Sequence, residues 1–170
     1  MQEEIFNTNR LSVRQFNELD KDYFIELLSD PDIINPIPQE VFKMDDILSK
    51  FKSFSKYDTK TVDSEKSIWG VYEINQSELI GLCGLLTNDE NERELAYRFR
   101  KKYWGKGYWT EITKGLIDYS FNVLEMVKIS ADVNIENIGS VKILEKFLTP
   151  IKEFYNEKDK CTDRRYKLEK

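Results

Sequence analysis

The chain has 170 residues and a formal net charge of -5, with 40% hydrophobic and 34% charged residues. This length and composition predict one soluble globular domain spanning residues 1–170 and argue against a disordered chain. A mildly acidic chain is also a poor candidate for wrapping nucleic acid, which usually binds a basic face. No apolar run is long enough to span a membrane and no signal-peptide pattern is present, so we expect a cytoplasmic protein.

The sequence contains no histidine, and its two cysteines, Cys83 and Cys161, are far apart. The missing histidine excludes Ser-His-Asp and Cys-His catalytic systems and histidine-ligated metal sites. The cysteines do not form a metal-binding spacing, so no metal is predicted, and Cys83 lies in an apolar run typical of inert core packing. Any proton transfer must therefore use Glu, Asp, Tyr, Ser, Lys, Cys or water.

The first third of the chain is predicted to form one strand followed by two helices. Alternating polarity in Leu11–Phe16 is typical of a half-buried strand. Asn17 can cap a helix whose apolar residues recur at helical spacing as far as Leu28. Prolines then favour loops or short helical turns up to residue 38. A second helix is predicted from about Met44 to Phe54, followed by a loop from Lys56 to Lys66.

Three consecutive segments, Ser67–Ile74, Leu79–Thr87 and Glu94–Arg100, predict an antiparallel meander. Residues that favour tight turns separate these segments, at 75–77 and at 88–91. Gly81 and Gly84 lie inside the second segment, where glycine indicates a bulge or a close approach of the neighbouring backbone.

The second half of the chain begins with a helix that follows the glycine-containing segment 105–107. Its buried face is predicted to comprise Ile112, Leu116, Tyr119, Val123 and Leu124. Val127–Val133 then alternates as a strand, and Asn137 can cap a further helix that ends at Pro150. The apolar positions of that further helix are Ile138, Val141, Leu144 and Phe147 or Leu148.

Two short strands, Ile151–Tyr155 and Arg165–Leu168, complete the predicted elements. The order is a strand with helices, then a meander, then alternating strands and helices. This order predicts a mixed α/β sheet with helices on both faces.

The loop Gly105–Gly107 follows the third strand of the meander and precedes a helix. Glycine permits positive φ and a close approach to a ligand, while the first amides of a helix and its dipole attract anions. Together with Lys101, Lys102 and Lys106, these features suit a diphosphate. A simple glycine turn is the alternative. Dinucleotide-binding and Walker-type loops fail on context, because position 110 is threonine and the spacing around Lys106 is too short.

The segment Glu94–Glu111 resembles motif A of the GNAT superfamily of acetyltransferases. Within it, Tyr103–Glu111 is similar to the branch that includes bacterial ribosomal-protein N-terminal acetyltransferases. Asn134–Lys146 resembles the Asn-x-x-Ser helix start of that branch, and Thr8–Arg14 and Asp163–Leu168 resemble its opening and closing strands. The resemblance spans nearly the whole chain in the same order, and this combination is specific.

Several positions depart from the family pattern. Lys102 replaces a usual Gln or Arg, and Ala96 replaces a frequent glycine. Trp109 replaces a small residue after the glycine loop, so we expect it to narrow or reshape the cofactor entrance. Phe147–Thr149 differs from the usual Leu-Gly-Phe, which leaves the end of that helix open.

The resemblance implies a GNAT-like fold with an about seven-stranded, mostly antiparallel sheet and helices on both faces. It also implies an acyl-coenzyme A-dependent N-acetyltransferase that needs no metal. Such an enzyme transfers acetyl from acetyl-coenzyme A to a primary amine by direct attack in a ternary complex. The acceptor would be a small amine or a protein N-terminus, and the enzyme a monomer or homodimer. The alternative is a non-catalytic module that binds an acyl-coenzyme A as a sensor or structural element.

The resemblance also implies two sets of site residues. The coenzyme A contacts would be Phe99, Arg100, Lys102, Tyr103, Trp104, Gly105, Lys106, Gly107, Tyr108, Trp109, Thr110, Asn137 and Ser140. Glu94 would be the base, acting through water; Ser140 would protonate the thiolate, and Tyr97 is a second candidate acid. The alternatives are an exposed strand carboxylate for Glu94, an exposed strand charge for Arg100 and a simple helix cap for Asn137. For the aromatic residues of the loop, the alternative is packing against the sheet.

The acceptor site is expected between the first two helices and the last two strands, at about Ile33–Phe54 and Glu153–Arg165. This region carries the weakest resemblance to the family. Acidic residues in or beside its first segment would suit a cationic acceptor, although acids are common on protein surfaces. These residues are Asp32, Glu40, Asp45 and Asp46.

Overall fold

The computed structural model describes residues 2–36, 39–56 and 67–170. Within these ranges the strands are β1 Glu4–Asn7, β2 Leu11–Arg14, β3 Ser67–Glu73, β4 Leu79–Thr87, β5 Arg93–Phe99, β6 Lys128–Asn134, β7 Thr149–Asn156 and β8 Cys161–Glu169. The helices are α1 Lys21–Ser29, α2 Pro31–Ile34, α3 Met44–Ser55, α4 Tyr108–Asn122 and α5 Ile138–Leu144. Short 3₁₀ turns cover Glu18–Asp20 and Lys101–Tyr103. From residue 57 onward, the loop predicted for 56–66 lies outside the described residues.

The eight described strands form one sheet in the spatial order β1-β2-β3-β4-β5-β6-β8-β7. Neighbouring strands are antiparallel except for β5 and β6, which are parallel. The mixed, mostly antiparallel sheet predicted from the sequence is therefore confirmed. The sheet has one strand more than the seven expected, because the short β1 pairs with β2 and extends the edge of the sheet.

Helices cover both faces of the sheet, as predicted. On β3, Trp69 and Val71 belong to a hydrophobic cluster shared with α4 and α5, whereas Tyr72 belongs to a second cluster shared with α1 and α3. Because side chains alternate along a strand, these two clusters lie on opposite faces. Both faces of the central strands are buried, which accounts for the nearly continuous apolar run in β4.

The two glycines of β4 have the close backbone contacts that the sequence predicts. The β3–β4 register shifts next to Gly81, between the pairs Val71–Gly81 and Tyr72–Leu79. A Cβ atom added at Gly84 would lie 1.9 Å from the carbonyl oxygen of Ser67, so no side chain fits there. Both the predicted bulge and the predicted close approach are confirmed.

Four details of the predicted helices are wrong at their ends. Asn17 caps the 3₁₀ turn that leads into α1, where it accepts a hydrogen bond from the Leu19 N–H group, and does not cap α1 itself. Helix α4 ends at Asn122, which leaves Val123 63% exposed. Ile138 is 55% exposed at the start of α5. Helix α5 ends at Leu144 and not at Pro150, because i to i+3 hydrogen bonds tighten the chain from residue 143 to 147.

Pro150 lies in β7, a strand at the edge of the sheet where a missing N–H group is tolerated. Within the described residues, no helix from α1 to α5 is long and apolar enough to cross a membrane.

Candidate active site

Strands β5 and β6 are paired at one position and then separate. In the described part of the chain, Glu94 of β5 is the residue paired with β6, and it lies opposite Ser130. On its other side, β5 stays paired with β4 from Arg93 to Phe99. Beyond Glu94, the edge of β5 that faces β6 therefore has no strand partner among the described residues. Such an edge can form backbone hydrogen bonds with an extended ligand that carries amide groups.

An open cleft of about 970 Å³ fills the space between the separated strands. Its walls include β5 from Glu94 to Phe99, β6 from Ala131 to Asn134, the start of α5 and the β7–β8 hairpin. The residues predicted from the sequence to form the site that line this cleft are Glu94, Tyr97, Phe99, Trp104, Trp109, Asn137 and Ser140. The other predicted residues belong to the adjoining loop and do not line the cleft: they are Arg100, Lys102, Tyr103, Gly105, Lys106, Gly107, Tyr108 and Thr110.

The loop between β5 and α4 has the backbone conformation of an anion site. Gly105 has φ of 73° and Gly107 has φ of 78°, a left-handed region that strains other residues. Gly107 is the N-cap of α4, a helix of 15 residues. The amides at the start of this helix have no intrahelical acceptor and carry the positive end of its dipole. No heavy atom lies within 4 Å of a Cβ built at Gly105, so a ligand could approach closely there.

The lysines around this loop are not equivalent. Lys101 forms an ion pair with Asp32, and Lys102 forms one with Glu78. Lys106 has its ammonium nitrogen 4.9 Å from the centre of the Tyr103 ring and, in the described part of the chain, forms no ion pair. Lys106 is therefore the lysine of this loop whose charge is left for a bound anion.

Arg100 is buried, so the alternative of an exposed strand charge is wrong. Its guanidinium group pairs with Glu26 at 2.9 Å and with Glu78 at 2.5 Å. Its backbone N–H group donates to the carbonyl of Ile80. The indole N–H group of Trp104 donates to the carbonyl of Phe99 at 2.8 Å, which ties the loop to the end of β5. These contacts anchor the N-terminal side of the loop.

Glu94 is partly buried at the base of the cleft, where β5 and β6 meet. The pKa of its carboxyl group is raised to about 7, first because burial disfavours the charged form and second because Asp132 lies nearby. The charge of Arg165 opposes this shift. A carboxyl group with a pKa near neutrality can accept a proton and release it again, as a general base must. The alternative of an ordinary exposed carboxylate does not describe this environment.

Hydroxyl groups lie along the same cleft. Burial raises the pKa of Tyr97, and the side chains of Thr113 and Ser140 lie close enough to oppose that shift. The side-chain oxygen of Asn137 accepts a hydrogen bond from the Ser140 N–H group at 3.3 Å. Asn137 is thus a helix cap that also lines the cleft.

Several cleft residues were missed by the sequence reasoning. Acidic side chains from β6 and β8, Asp132 and Asp163, line the cleft near Glu94, and Arg165 is shared between Asp132 and Asp89. A charged residue inside an alternating strand was the available signal. The acids predicted for the acceptor site, Asp32, Glu40, Asp45 and Asp46, do not line the cleft. Part of the region predicted for the acceptor, Ile33 and the β7–β8 hairpin, lies in the cleft wall.

A cleft between separated parallel strands, with a glycine loop that adjoins it and a carboxyl group of raised pKa at its base, fits a transferase that uses a phosphate-containing donor. The family model of the acetyltransferase (GNAT) domain matches residues 10–147. The chain belongs to this family and is an acyl-coenzyme A-dependent N-acetyltransferase.

A relative at 30% identity agrees with this assignment, and solved structures share the fold. The chain is 30% identical over 147 residues to the uncharacterized N-acetyltransferase p20 of Bacillus licheniformis, covering 83% of this chain and 79% of p20. A GNAT-family acetyltransferase from Bacillus anthracis superposes with a TM-score of 0.79 at 22% identity, covering 99% of this chain and 98% of that one. Spermidine N-acetyltransferase from Vibrio cholerae, solved with CoA and spermine, has a TM-score of 0.75 at 20% identity, covering 94% and 95%.

Proposed function

We propose that this enzyme transfers the acetyl group of acetyl-coenzyme A to a primary amine, either a small amine or a protein N-terminus, by direct attack in a ternary complex. The observation that carries the proposal is the cleft itself. Its wall carries Glu94, Tyr97 and Ser140 together with Trp104 and Trp109, which flank the adjoining glycine loop. A donor and an acceptor bound in such a cleft would react without a covalent enzyme intermediate.

The described residues fit acetyl-coenzyme A. The amides of Gly105–Gly107 and of the first turn of α4 would hold the diphosphate, with Lys106 as the nearby charge. The free edge of β5 between Leu95 and Arg98 would pair with the amides of the pantetheine arm. Bound in this way, the donor supplies a thioester whose carbonyl carbon accepts the amine.

Glu94 would remove the proton that the amine loses, through a water molecule. The amine nitrogen forms a C–N bond with the acetyl carbon, the C–S bond breaks, and the sulfur leaves as a thiolate. The raised pKa of Glu94 favours this role, because a stronger base holds the transferred proton better near neutral pH. The proton would pass from Glu94 to solvent at the open side of the cleft.

Ser140 would give a proton to the leaving thiolate and take one back from solvent water in the open cleft, with Tyr97 beside it. Both hydroxyl groups line the cleft, and Ser140 is held at the start of α5 by the Asn137 cap. Thr113 is fully buried and donates its hydroxyl proton to the carbonyl of Trp109 at 2.8 Å, so its oxygen remains an acceptor. The Tyr97 proton can then point to Thr113, which leaves Ser140 as the proposed donor at the thiolate.

The charge of the cleft favours a cationic acceptor. Asp163 is 8% exposed and accepts a hydrogen bond from the Asn156 amide, and the described residues include no ion pair to it or to Glu94. Arg98 also lines the cleft but donates to the carbonyl of Leu27, and the charge of Arg165 is shared among several acids. An ammonium group would therefore be attracted, and an acceptor with a carboxylate beside its amine would be repelled.

A thiol-release screen with acetyl-coenzyme A tests the function. The panel pairs each primary amine or N-terminal peptide with a counterpart that carries a carboxylate next to the reacting nitrogen. We expect thiol release with a cationic member and at least about tenfold lower kcat/KM for its anionic counterpart. Binding of coenzyme A by calorimetry without release for any amine would instead support a non-catalytic binding module. Preference for the carboxylate-bearing members would refute the assigned acceptor class.

A further inference from the structure

Arg10 connects the turn between β1 and β2 to the C-terminal side of the glycine loop. Its Nε atom lies 2.7 Å from Oε2 of Glu111, and its backbone N–H group donates to Oε1 of the same carboxylate at 2.7 Å. Its Nη1 atom donates to the carbonyl of Lys106 at 3.0 Å. The guanidinium group also lies 4.6 Å from the centre of the Tyr108 ring. One side chain thus contacts three residues of the loop and of α4.

The bond to the Lys106 carbonyl has a consequence for the next amide. In a trans peptide the C=O and N–H groups point in opposite directions, and the described chain contains no cis peptide bond. Because the Lys106 carbonyl points at Arg10, the Gly107 N–H group points away from Arg10. It is therefore directed out of the far side of the loop, where an anion could accept its hydrogen bond.

The carboxylate of Glu111 holds the guanidinium group in this place. Thr8 donates its hydroxyl proton to Oε1 of Glu111 at 2.6 Å, so the carboxylate is itself fixed from a second direction. Glu111 stands in the first turn of α4, where an uncompensated negative charge would oppose a diphosphate. Arg10 offsets that charge. The side chain of Glu111 is 15% exposed and that of Arg10 is 45% exposed, so the carboxylate is shielded from solvent while the guanidinium group is partly open to it.

We propose that Arg10 is a positioning residue for the diphosphate loop, which fixes the direction of the Gly107 amide through the Lys106 carbonyl without touching the donor. This proposal rests on the function proposed above, because it presumes that the loop holds the diphosphate of coenzyme A. Glu111 holds the guanidinium group of Arg10 in place, and Thr8 in turn holds the carboxylate of Glu111. Neither Arg10 nor Thr8 was assigned a role in the site from the sequence.

The chain offers a matched control in Arg14. This residue lies in the same strand region and makes two of the same kinds of contact, over the Tyr72 ring at 3.9 Å and to the carbonyl of Gln76 at 2.7 Å, but among the described residues its Nε atom has no carboxylate partner such as Glu111. Its contacts are in a different hairpin, away from the glycine loop. Arg10→Ala and Arg14→Ala therefore remove the same side chain and the same cation–π and carbonyl contacts at two places.

The test is calorimetric titration of coenzyme A into wild-type protein, Arg10→Ala and Arg14→Ala, with the ¹H–¹⁵N resonance of Gly107 followed in the ligand-free proteins. We expect Arg10→Ala to raise the Kd for coenzyme A about tenfold and to shift the Gly107 resonance. Arg14→Ala should change neither. The double variant Arg10→Ala/Glu111→Gln should remain weak, because removing the acid restores the charge balance but not the direction of the amide.

Three results would overturn the proposal. A lower affinity with an unchanged Gly107 resonance would mean that Arg10 contacts the donor directly. Full recovery in the double variant would mean that Arg10 acts only by offsetting charge. An unchanged Kd would remove the role altogether. If Arg10→Ala does not fold, Thr8→Val tests the same set of contacts without a change of charge. We then expect a smaller increase in the Kd for coenzyme A and a smaller shift of the Gly107 resonance. Wild-type protein that does not bind coenzyme A would refute the proposed function instead.

Discussion

Replacing Glu94 by Gln should slow transfer and, at the same time, stabilise the folded protein above neutral pH. The pKa of Glu94 is raised from 4.5 to about 7 by burial and by the charge of Asp132. The folded state therefore binds this proton more tightly than the unfolded chain. Below pH 4.5 Glu94 is protonated in both the folded and the unfolded state, so it does not disfavour folding. The folded protein loses stability as the pH rises from 4.5 through about 7, because the unfolded chain then ionises more readily.

The magnitude follows from the two pKa values. A tenfold change in proton affinity corresponds to about 1.4 kcal/mol, so ionised Glu94 costs the folded state at most about 3.5 kcal/mol above pH 7. Partial access to solvent reduces this value. Glutamine has nearly the same shape and does not ionise. The unfolding free energy of Glu94→Gln relative to wild type should therefore be flat in acid, increase as the pH approaches 7, and then level off.

Urea unfolding of both proteins at several pH values between about 4 and 9 measures this difference. Glu92→Gln is the control, because its pKa is lowered, chiefly by the hydrogen bond from Lys128, so its stabilising effect is lost on acidification. The stability that Glu92→Gln loses relative to wild type should therefore become smaller in acid, which is the opposite of the trend expected for Glu94→Gln. A Glu94→Gln difference that does not depend on pH would refute the perturbed pKa. A kcat/KM profile that keeps its acid limb near pH 7 in the variant would refute the role as base.

Three further predictions concern the rest of the cleft. Ser140→Ala should lower kcat by about a hundredfold and change the Kd for coenzyme A little, because a proton donor acts in the transition state; the reverse pattern in kinetics and calorimetry would make it a binding residue. Gly107→Ala should lower the free energy of unfolding by about 1 kcal/mol, because φ at this position is 78°, and it should raise the Kd for coenzyme A. An unchanged free energy of unfolding and an unchanged Kd would contradict this prediction. Coenzyme A should alter the tryptophan fluorescence, and Trp109→Phe should remove most of that signal; an undiminished signal would exclude Trp109 from the site.

Local sequence patterns were sufficient to predict β2 to β8, most of the helices and the position of the glycine loop, but not the short edge strand β1. Apolar residues at alternate positions mark β5, and a nearly continuous apolar run bounded by turn residues marks β4, because a strand presents successive side chains to opposite faces and both faces of β4 are buried. The glycines at 105 and 107 indicate left-handed backbone before a helix, since other residues are strained there. The ends of α4 and α5 were less predictable, because apolar periodicity continues past the last helical hydrogen bond.

The tertiary structure decided which side chains meet. Arg100 and Lys102 look alike beside the glycine loop, yet Glu78 from the β3–β4 turn pairs with both, so neither charge is left for a ligand. The neighbours of Glu94 likewise come from β6 and β8, at distances along the chain that no local spacing encodes. The sequence by itself indicates left-handed backbone at Gly105 and Gly107, because φ is a local property, whereas the bond from Arg10 to the Lys106 carbonyl comes from a distant part of the chain. The pKa of Glu94 depends on burial and on charges brought together only when β5 and β6 meet and then separate.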